Sequence, residues 1–353
     1  MALIVTVPIG TPPQPQQMVL DTGSQLSWIQ CKKPSFDSSR SSTFKILPCN
    51  DPICRPRIPD FSIPTTCDEK KLCQYSYFYA DGTLAEGNLV REKITFSSLQ
   101  STSPMILGCA SARASAEGIL GMNLGRLSFA TQAKLDKFSY CVPPRQGNST
   151  EMPIGTLYLG PNPNSPTFKY ISFFTFPQDQ RKPNLDPLAY TVTMVGIRIG
   201  GKKLNIPSSV FIPDASGSGQ TMIDSGSQYT FLVEEAYNKV REEVVRLVGP
   251  KVKKGYVFGD AFDMCFDANN HVDVGNMIGD MVLEFEKGVE VLISKDKLLD
   301  NFGGVYCFGI GRSQSLGATS DIIGNFHQQN LSVEFDFKGK RVGFGKDNCG
   351  TTA

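Results

Sequence analysis

One six-residue pattern occurs twice in this 353-residue chain. It reads Val19-Leu20-Asp21-Thr22-Gly23-Ser24 in the first copy and Met222-Ile223-Asp224-Ser225-Gly226-Ser227 in the second. The apolar residues are typical of a strand that directs the carboxylate inward, and the glycine permits a tight reversal of the backbone. Neighbouring hydroxyl and backbone N–H groups are able to hydrogen-bond a buried carboxylate. Each copy therefore predicts a strand that ends in a buried aspartate.

A second motif repeats at the same interval. The first copy is Gly118-Ile119-Leu120-Gly121, and the second is Asp321-Ile322-Ile323-Gly324. Asp224 lies 203 residues after Asp21, and Ile322 lies 203 residues after Ile119. One internal duplication accounts for both intervals and predicts two related halves. The alternative is that each aspartate only anchors a turn, which is a common use of Asp at a strand end.

The composition fits two domains of mainly β structure. A chain of 353 residues exceeds one ordinary domain. Its 33 glycines and 23 prolines, with many Val, Ile, Thr and Phe, favour short strands and turns. We place the boundary near residue 170, which gives an N-terminal half of residues 1–170 and a C-terminal half of residues 171–353.

Charge and histidine content narrow the range of partners. A formal net charge of +1 argues against nucleic acid and gives no electrostatic reason to expect binding to a membrane surface. No stretch of sequence is long and apolar enough to span a bilayer. His271 and His327 are the only histidines, and they do not form a zinc-ligand pattern. We predict neither a metal nor another cofactor.

Ten cysteines indicate disulfide bonds. Cys49, Cys54, Cys67 and Cys73 belong to the polar stretch 31–73, which can bury little apolar surface and therefore needs covalent cross-links. Disulfides place the protein in an oxidising compartment. The alternative is a cytosolic protein with reduced thiols in its core. Ten cysteines permit on the order of a thousand pairings, and their spacing alone selects none of them.

Three further segments have clear patterns. Residues 75–90 combine alternating aromatic residues, the turn Asp81-Gly82-Thr83 and a second apolar run, and they predict a β-hairpin. Val233 to Val248 is the best candidate helix, since Gly249-Pro250 follows its end. Residues 196–203 come close to a phosphate-binding loop, but Lys203 stands where Mg²⁺ requires Ser or Thr, so we predict a hairpin with a glycine turn.

Both aspartate motifs, each followed by an apolar-apolar-Gly motif, resemble those of the pepsin-like aspartic endopeptidases. The resemblance runs from Ile9-Gly10-Thr11-Pro12-Pro13 to Arg341-Val342-Gly343-Phe344, essentially the whole chain. The cysteine-rich stretch and Phe138-Ser139-Tyr140-Cys141 are more similar to the plant nucellin- and nepenthesin-like branch. The family implies an all-β, bilobal, pepsin-like acid protease fold with two pseudo-symmetric, β-barrel-like domains and a central cleft.

The resemblance also assigns roles to the repeated loops. Asp21 and Asp224 match the catalytic pair, which activates a water for hydrolysis of peptide bonds at acid pH. Ser24 and Ser227 match positions that hydrogen-bond the outer carboxylate oxygens. Ile119 matches a wall of the pocket for the residue before the scissile bond. The other residues of the two loops are implied to give supporting hydrogen bonds: Thr22, Gly23, Ser225 and Gly226.

The hairpin of residues 75–90 matches the flap of the family. Tyr79 occupies the position of the flap tyrosine, and Trp28 that of the tryptophan whose N–H bonds its hydroxyl. The tip continues as Ala80-Asp81-Gly82, with Ala80 in place of the usual glycine, which puts the shape and stiffness of the flap in question. An ordinary hairpin with a cross-strand tyrosine is the alternative, because such pairs are common in sheets.

Five disulfides are expected. Nesting Cys54–Cys67 inside Cys49–Cys73 would make the polar stretch compact. The resemblance implies the other three: Cys265–Cys307, Cys141–Cys349 and Cys31–Cys109.

Family members are made as zymogens with a signal peptide and an inhibitory pro-segment. Residues 1–7 lack a basic region and run directly into a strand pattern, so we expect a trimmed or mature form of a secreted protein. The apoplast or cell wall is the expected location, with the vacuole as an alternative. Asn148 begins a glycosylation sequon in a loop and is expected to carry a glycan, whereas Asn330 lies in a strand-like run.

The expected protein is a monomeric plant protease that acts on polypeptides and binds statine-type inhibitors. The alternative function is a catalytically silent binding protein of the same fold, such as an inhibitor of a secreted glycosidase. A half-site homodimer of the viral type is excluded by the second aspartate motif in the same chain.

Overall fold

The structure is a computed structural model that describes residues 2–31, 35–54, 61, 63–96, 100–111, 117–144, 154–177, 182–267, 271–347 and 349. The chain divides into two units, Met1–Leu135 and Asp136–Ala353. This division precedes the boundary predicted near residue 170, because strands between residues 137 and 172 pair with the last two strands of the chain.

The described residues of the first unit form a nine-stranded sheet and a short helix. Its elements are β1 (Ile4–Ile9), β2 (Gln14–Asp21), β3 (Trp28–Gln30), β4 (Lys45–Ile46), β5 (Thr66–Cys67), β6 (Cys73–Phe78), β7 (Leu84–Glu92), β8 (Met105–Ala110), β9 (Gly118–Gly121) and α1 (Phe129–Gln132). The strand order is β1-β2-β9-β3-β8-β7-β6-β5, and β4 pairs with β7.

The second unit is also rich in strands. They are β10 (Lys137–Cys141), β11 (Thr156–Tyr158), β12 (Lys169–Ser172), β13 (Thr191–Val192), β14 (Met194–Ile199), β15 (Lys202–Lys203), β16 (Thr221–Ile223), β17 (Thr230–Leu232), β18 (Cys265–Asp267), β19 (Met281–Phe285), β20 (Glu290–Ile293), β21 (Leu299–Phe302), β22 (Val305–Phe308), β23 (Ile310–Arg312), β24 (Asp321–Ile323), β25 (Leu331–Asp336) and β26 (Arg341–Lys346). The helices are α2 (Glu234–Val248) and α3 (His271–Ile278).

Four sheets organise these strands, in the orders β11-β10-β25-β26-β12, β13-β16-β24-β17-β23, β15-β14-β19-β20 and β18-β22-β21. The helix predicted over 233–248 is present as α2, which buries Ala236, Tyr237, Val240 and Val244 on one face. The hairpin predicted at 196–203 is present as β14 and β15, with positive φ at Gly200 and Gly201. No helix in the described ranges is long and apolar enough to cross a membrane.

The two units share one topology around the repeated motifs. In the first, β2 pairs in parallel with β9, and β9 pairs antiparallel with β3. In the second, β16 pairs in parallel with β24, and β24 pairs antiparallel with β17. The order β1-β2-β9-β3-β8 therefore corresponds to β13-β16-β24-β17-β23. The interval of 203 residues in sequence is thus matched by a duplicated sheet, and the all-β fold with two related halves is confirmed.

The disulfides of the polar stretch are crossed rather than nested. The structure pairs Cys49 with Cys67 and Cys54 with Cys73, at Cα–Cα distances of 5.6 and 5.5 Å. The predicted pairs Cys49–Cys73 and Cys54–Cys67 are therefore wrong.

Backbone pairing explains the exchange. Cys67 lies directly opposite Cys73 on β5 and β6. The segment that contains Leu47 and Cys49 runs along the other side of Cys73. The carbonyl oxygen of Leu47 accepts the N–H of Cys73, and the N–H of Cys49 donates to the carbonyl oxygen of Lys71. Leu47, rather than Cys49, therefore lies opposite Cys73, and Cys49 bonds Cys67 instead. The other three disulfides are present as expected: Cys31–Cys109, Cys141–Cys349 and Cys265–Cys307.

Mass mapping of the non-reduced protein can check this pairing. Cleavage before Asp51 and after Lys70 or Lys71, together with cleavage after Arg55 or Arg57, separates the four cysteines of the stretch. We expect linked fragments that contain Cys49 with Cys67 and Cys54 with Cys73, and we expect them to vanish after reduction. Linked fragments with Cys49 and Cys73 would contradict the crossed arrangement.

Candidate active site

Asp21 lies at the end of β2 and is only 6% exposed. Its Oδ1 accepts the backbone N–H of Gly23 at 2.8 Å, and its Oδ2 accepts the hydroxyl of Ser24 at 2.5 Å. Both contacts come from the loop that follows it, as the sequence predicts. Hydrogen bonds of this kind favour the ionised form of a buried carboxyl group.

Asp224 has the same surroundings in the second unit. It follows β16 directly and is 9% exposed. Its Oδ1 accepts the N–H of Gly226 at 2.8 Å, and its Oδ2 accepts the hydroxyl of Ser227 at 2.6 Å. Thr22 and Ser225, the residues after the two aspartates, are fully buried. The duplication has therefore preserved the hydrogen-bond shell of the carboxylate together with the backbone.

Close backbone approach explains the glycine of each apolar-apolar-Gly motif. A Cβ at Gly121 would lie 2.5 Å from the carbonyl oxygen of Gln25. A Cβ at Gly324 would lie 2.1 Å from the carbonyl oxygen of Tyr229. Contacts this short are prohibitive, so only glycine lets β9 and β24 pass against the aspartate loops.

Sequence reasoning missed a pair of hydroxyls that hold these glycines. Ser27 Oγ accepts the N–H of Gly121 at 3.0 Å, and Thr230 Oγ1 accepts the N–H of Gly324 at 3.2 Å. Thr230 lies 203 residues after Ser27. Extending the comparison of the two halves by three residues would have found them.

The flap hairpin is formed by β6 and β7, whose register pairs Gln74 with Asn88 and Phe78 with Leu84. Tyr79 follows β6, and its hydroxyl accepts the indole N–H of Trp28 at 2.6 Å. Trp28 is fully buried, so this bond satisfies a donor that has no access to water. Burial raises the pKa of the Tyr79 phenol well above its usual range, and the charge of Asp21 raises it further.

The tip of the flap is exposed and turns at Gly82. The N–H of Gly82 bonds the carbonyl of Tyr79, and Asp81 Oδ1 accepts the N–H of Thr83 at 2.8 Å. Gly82 has φ +86°, whereas Ala80 is not among the described residues with positive φ. Replacement of the usual glycine by Ala80 therefore imposes no backbone strain on this hairpin.

Ile119 lies on β9 opposite Trp28 and is partly exposed. It packs with Tyr77 and Tyr79 against the buried cluster that contains Trp28 and Tyr75. In the first unit the structure thus brings together the residues that the resemblance assigned to the site, namely Asp21, Trp28, Tyr79 and Ile119. Asn148 lies outside the described residues.

Comparison with known proteins identifies the family. Residues 3–160 match the family described as "Xylanase inhibitor N-terminal", and residues 189–346 match "Xylanase inhibitor C-terminal". Aspartic proteinase PCS1 of Arabidopsis thaliana is 36% identical over 382 residues, which cover 99% of this chain and 82% of that protein. Aspartic proteinase nepenthesin-1 of Nepenthes gracilis is 33% identical over 365 residues, covering 99% and 78%.

This chain belongs to the plant branch of the pepsin-like aspartic proteinases. Solved structures of similar fold support the same architecture at lower identity. A protein titled edgp has a TM-score of 0.72 and 18% identity, covering 98% of this chain and 92% of that one. Basic 7S globulin from soybean has a TM-score of 0.71 and 17% identity, covering 99% and 95%.

Two further carboxyl groups of the second unit have shifted pKa values, and sequence reasoning missed both. Asp321 begins β24 and is fully buried; its Oδ1 accepts the N–H of Val233 at 3.0 Å. Burial raises the pKa of Asp321 to about 8, although its hydrogen bonds oppose the shift. Burial also raises the pKa of Asp186, and the negative charge of Asp224 adds to the effect.

No sequence signal marks these two residues as special. Asp321 reads as a polar residue before a strand, and Asp186 reads as part of an Asp-Pro turn. Among the described residues, no group of three or more His, Cys, Asp and Glu side chains is arranged to hold a metal ion. His327 is buried, and its Nδ1 lies 2.8 Å from the hydroxyl of Thr230.

The bond between Trp28 and Tyr79 can be tested by the fluorescence of Trp28, the only tryptophan. Tyr79→Phe leaves the buried indole donor without its partner, so we expect the free energy of unfolding to fall by about 1–3 kcal/mol. We also expect a change in the emission of Trp28. Tyr158→Phe, a partly buried tyrosine of the other unit, is the control. Unchanged emission and stability in Tyr79→Phe would show that the bond does not form in solution.

Asp321 makes the stability of the second unit depend on pH. Its pKa is raised in the folded protein, so the contribution is complete below the ordinary pKa of Asp and is lost as pH rises toward about 8. We expect Asp321→Asn to remove part of the fall in melting temperature between pH 5 and pH 8, while the exposed Asp273→Asn leaves that fall unchanged. Thermal unfolding over this pH range measures it. An identical pH dependence in wild type and Asp321→Asn would contradict the assignment.

Proposed function

We propose that this chain is an aspartic endopeptidase that hydrolyses peptide bonds of polypeptides without a covalent intermediate. The observation that carries the proposal is the pair of aspartates, Asp21 and Asp224, in matching hydrogen-bond shells. A binding protein has no need to keep both carboxylates, both serine hydroxyls and both glycine N–H contacts. Membership of a family whose relatives are named aspartic proteinases supports the same activity.

In the proposed reaction, the two carboxylates share one proton and hold one water. The ionised carboxylate takes a proton from the water as it attacks the peptide carbonyl, and the protonated one donates to the carbonyl oxygen. Two carboxyl groups that share a proton titrate as a pair, so the apparent pKa values belong to the pair rather than to Asp21 or Asp224. This chemistry gives an acid optimum, because the shared proton is lost toward neutral pH.

Tyr79 has a positioning role in the proposed reaction. Its ring lies on the flap beside Tyr77, at a centroid distance of 5.1 Å, and its hydroxyl is fixed by Trp28. With the hydroxyl occupied by the indole, the ring is oriented to cover bound substrate and to exclude water from the scissile bond. The hydrogen bond from the indole therefore fixes the orientation of the Tyr79 ring on the flap.

The remaining properties of the proposed enzyme follow the plant branch of the family. We propose a secreted or vacuolar, monomeric glycoprotein that matures from a zymogen and binds statine-type inhibitors. Five disulfides support an oxidising compartment, since Cα–Cα distances of 5.4 to 5.6 Å suit four of them. Every cysteine of the chain is paired, which also fits that location.

A second candidate function has one specific observation in its favour. Both halves of the chain match families described as xylanase inhibitor domains. In that case the chain is a silent binder of a glycosidase and hydrolyses nothing. Digestion of an unfolded protein at acid pH, compared with inhibition of a xylanase under the same conditions, separates the two functions.

Asp21→Asn and Asp224→Asn test the proposed dyad. An amide is unable to act as general base, so we expect each variant to lose turnover by about 100-fold or more. Both variants are expected to fold, because the amide oxygen can still accept the N–H of Gly23 or Gly226. Hydrolysis of an unfolded protein at acid pH measures activity, and circular dichroism measures folding.

Asp273→Asn, which removes an exposed carboxylate on α3, is the matched control and is expected to keep full activity. An Asp224→Asn variant that cleaves as fast as wild type would refute the dyad. A wild-type chain that cleaves nothing across the acid range would refute the proposed activity itself.

A further inference from the structure

Three tyrosines alternate along the first strand of the flap. Tyr75 and Tyr77 belong to β6, and Tyr79 follows its end. Successive side chains of a strand point to opposite faces, so these three share one face. Tyr75 is only 1% exposed, whereas Tyr77 and Tyr79 are partly buried. Tyr77 therefore lies between the core of the first unit and the flap tyrosine.

The hydroxyl of Tyr77 contacts the loop that carries Asp21. It accepts the backbone N–H of Gln25 at 3.3 Å. Gln25 is fully buried and directly follows Ser24, whose hydroxyl donates to Asp21 Oδ2. Tyr77 therefore connects the flap strand to the residue next to the hydrogen-bond shell of Asp21.

The ring of Tyr77 contacts two other aromatic rings. Its centroid lies 5.1 Å from that of Tyr79, with an interplanar angle of 50°. It lies 5.6 Å from the centroid of Phe61, in a T-shaped arrangement with an angle of 90°. Both distances are in the range of favourable aromatic pairs. Since Tyr79 also bonds the indole of Trp28, a continuous row of contacts runs from Phe61 through Tyr77 and Tyr79 to Trp28.

Phe61 belongs to the cysteine-rich stretch 31–73, not to a strand of the sheet. It is 5% exposed and lies in the same buried cluster as Cys54 and Cys73. These two cysteines form a disulfide, and Cys73 is the first residue of β6. The disulfide therefore ties the stretch that contains Phe61 to the strand that carries Tyr77.

Packing alone does not require the hydroxyl of Tyr77. A phenylalanine at this position would make the same ring contacts with Phe61 and Tyr79. Tyr75 on the same face shows the contrast, because its hydroxyl has no hydrogen-bond partner among the described residues. The ring of Tyr75 only packs, whereas Tyr77 also joins the flap to the Asp21 loop.

We propose that Tyr77 is a positioning residue that holds the flap tyrosine in a fixed position relative to the Asp21 loop, and that Phe61 supports it there. Both residues act through Tyr79 and not on the reacting atoms. This inference rests on the proposed function, because it assigns positioning residues to the same site. The cysteine-rich stretch then contributes to turnover as well as to stability, since a small misplacement of a positioning group lowers the rate of reaction.

Tyr77→Phe tests the hydroxyl, because it keeps the ring and removes the acceptor for Gln25. We expect kcat and kcat/KM for hydrolysis of a peptide to fall by the same factor, about tenfold, as for a contact that matters only in the transition state. Tyr75→Phe is the matched control and is expected to keep wild-type kinetics. Wild-type kinetics in Tyr77→Phe would overturn the proposal, as would a rise in KM alone, which would indicate direct binding of substrate by Tyr77.

Phe61→Ala tests the support from the cysteine-rich stretch. We expect kcat to fall by about tenfold in the wild-type background and to fall no further in Tyr77→Leu, because Phe61 acts through Tyr77. Phe61→Leu, which keeps most of the buried volume without the ring, replaces Phe61→Ala if circular dichroism shows that the latter does not fold. An equal loss of kcat in both backgrounds would overturn the proposal.

Phe36→Ala is the matched control for Phe61→Ala. Phe36 is a buried phenylalanine of the same stretch, and its ring lies 5.9 Å from that of Phe44 rather than against the flap. We expect this variant to lose stability and to keep the wild-type kcat. A loss of kcat as large as that of Phe61→Ala would show that any damage to the stretch lowers turnover, and it would overturn the role of Phe61.

A measurement without substrate separates this inference from the proposed activity. Quenching of Trp28 fluorescence by acrylamide reports access to the indole that bonds Tyr79. We expect Phe61→Ala and Tyr77→Phe to increase the quenching, because a loosened Tyr79 uncovers the indole, whereas Tyr75→Phe leaves it unchanged. Increased quenching supports the inference even when the wild-type chain cleaves nothing. Wild-type quenching in both Phe61→Ala and Tyr77→Phe refutes the inference, whatever the outcome of the cleavage assay.

Discussion

The structure depends on one constraint, a carboxylate that is buried at the end of a strand. Burial of an ion is costly unless hydrogen bonds replace the lost water. Asp21 and Asp224 meet this requirement in the same way, with one glycine N–H and one serine hydroxyl each. The loop has to turn sharply for these donors to reach back to the carboxylate. A parallel strand, β9 or β24, then has to pass against the loop, and only a glycine at the contact leaves enough room.

These requirements explain how much of the fold could be predicted from the sequence. The aspartate loop, its flanking strand and the glycine of the second motif are local, so they leave a pattern of adjacent residues. Because the pattern occurs twice at one interval, it also predicts the duplication. The flap was predictable for a similar reason, since alternating aromatic residues and an Asp-Gly turn are features of a single hairpin.

The parts that could not be predicted depend on contacts between distant segments. Cys49 and Cys54 each have Cys67 and Cys73 within similar sequence distance, and only the ladder that places Leu47 against Cys73 decides between them. The hydrogen bonds between the Gln220 side chain and the Asp186 backbone join residues 34 positions apart. In the sequence each of them is an ordinary polar residue. The hydroxyls of Ser27 and Thr230 are intermediate, because the repeat marks them although no motif does.

The two halves share a backbone but differ in their electrostatics. Gly118 of the first half corresponds to Asp321 of the second, since each begins the parallel strand of its own half. A side chain at position 118 is prohibited, because a Cβ there would lie 2.3 Å from the carbonyl oxygen of Trp28. The second half has room for a carboxyl group, and burial keeps it protonated up to a pH of about 8. Asp321 is therefore neutral in the acid range, whereas above that range it becomes a buried anion. The backbone of β3 at Trp28 thus excludes from the first half the pH-sensitive group that the second half contains.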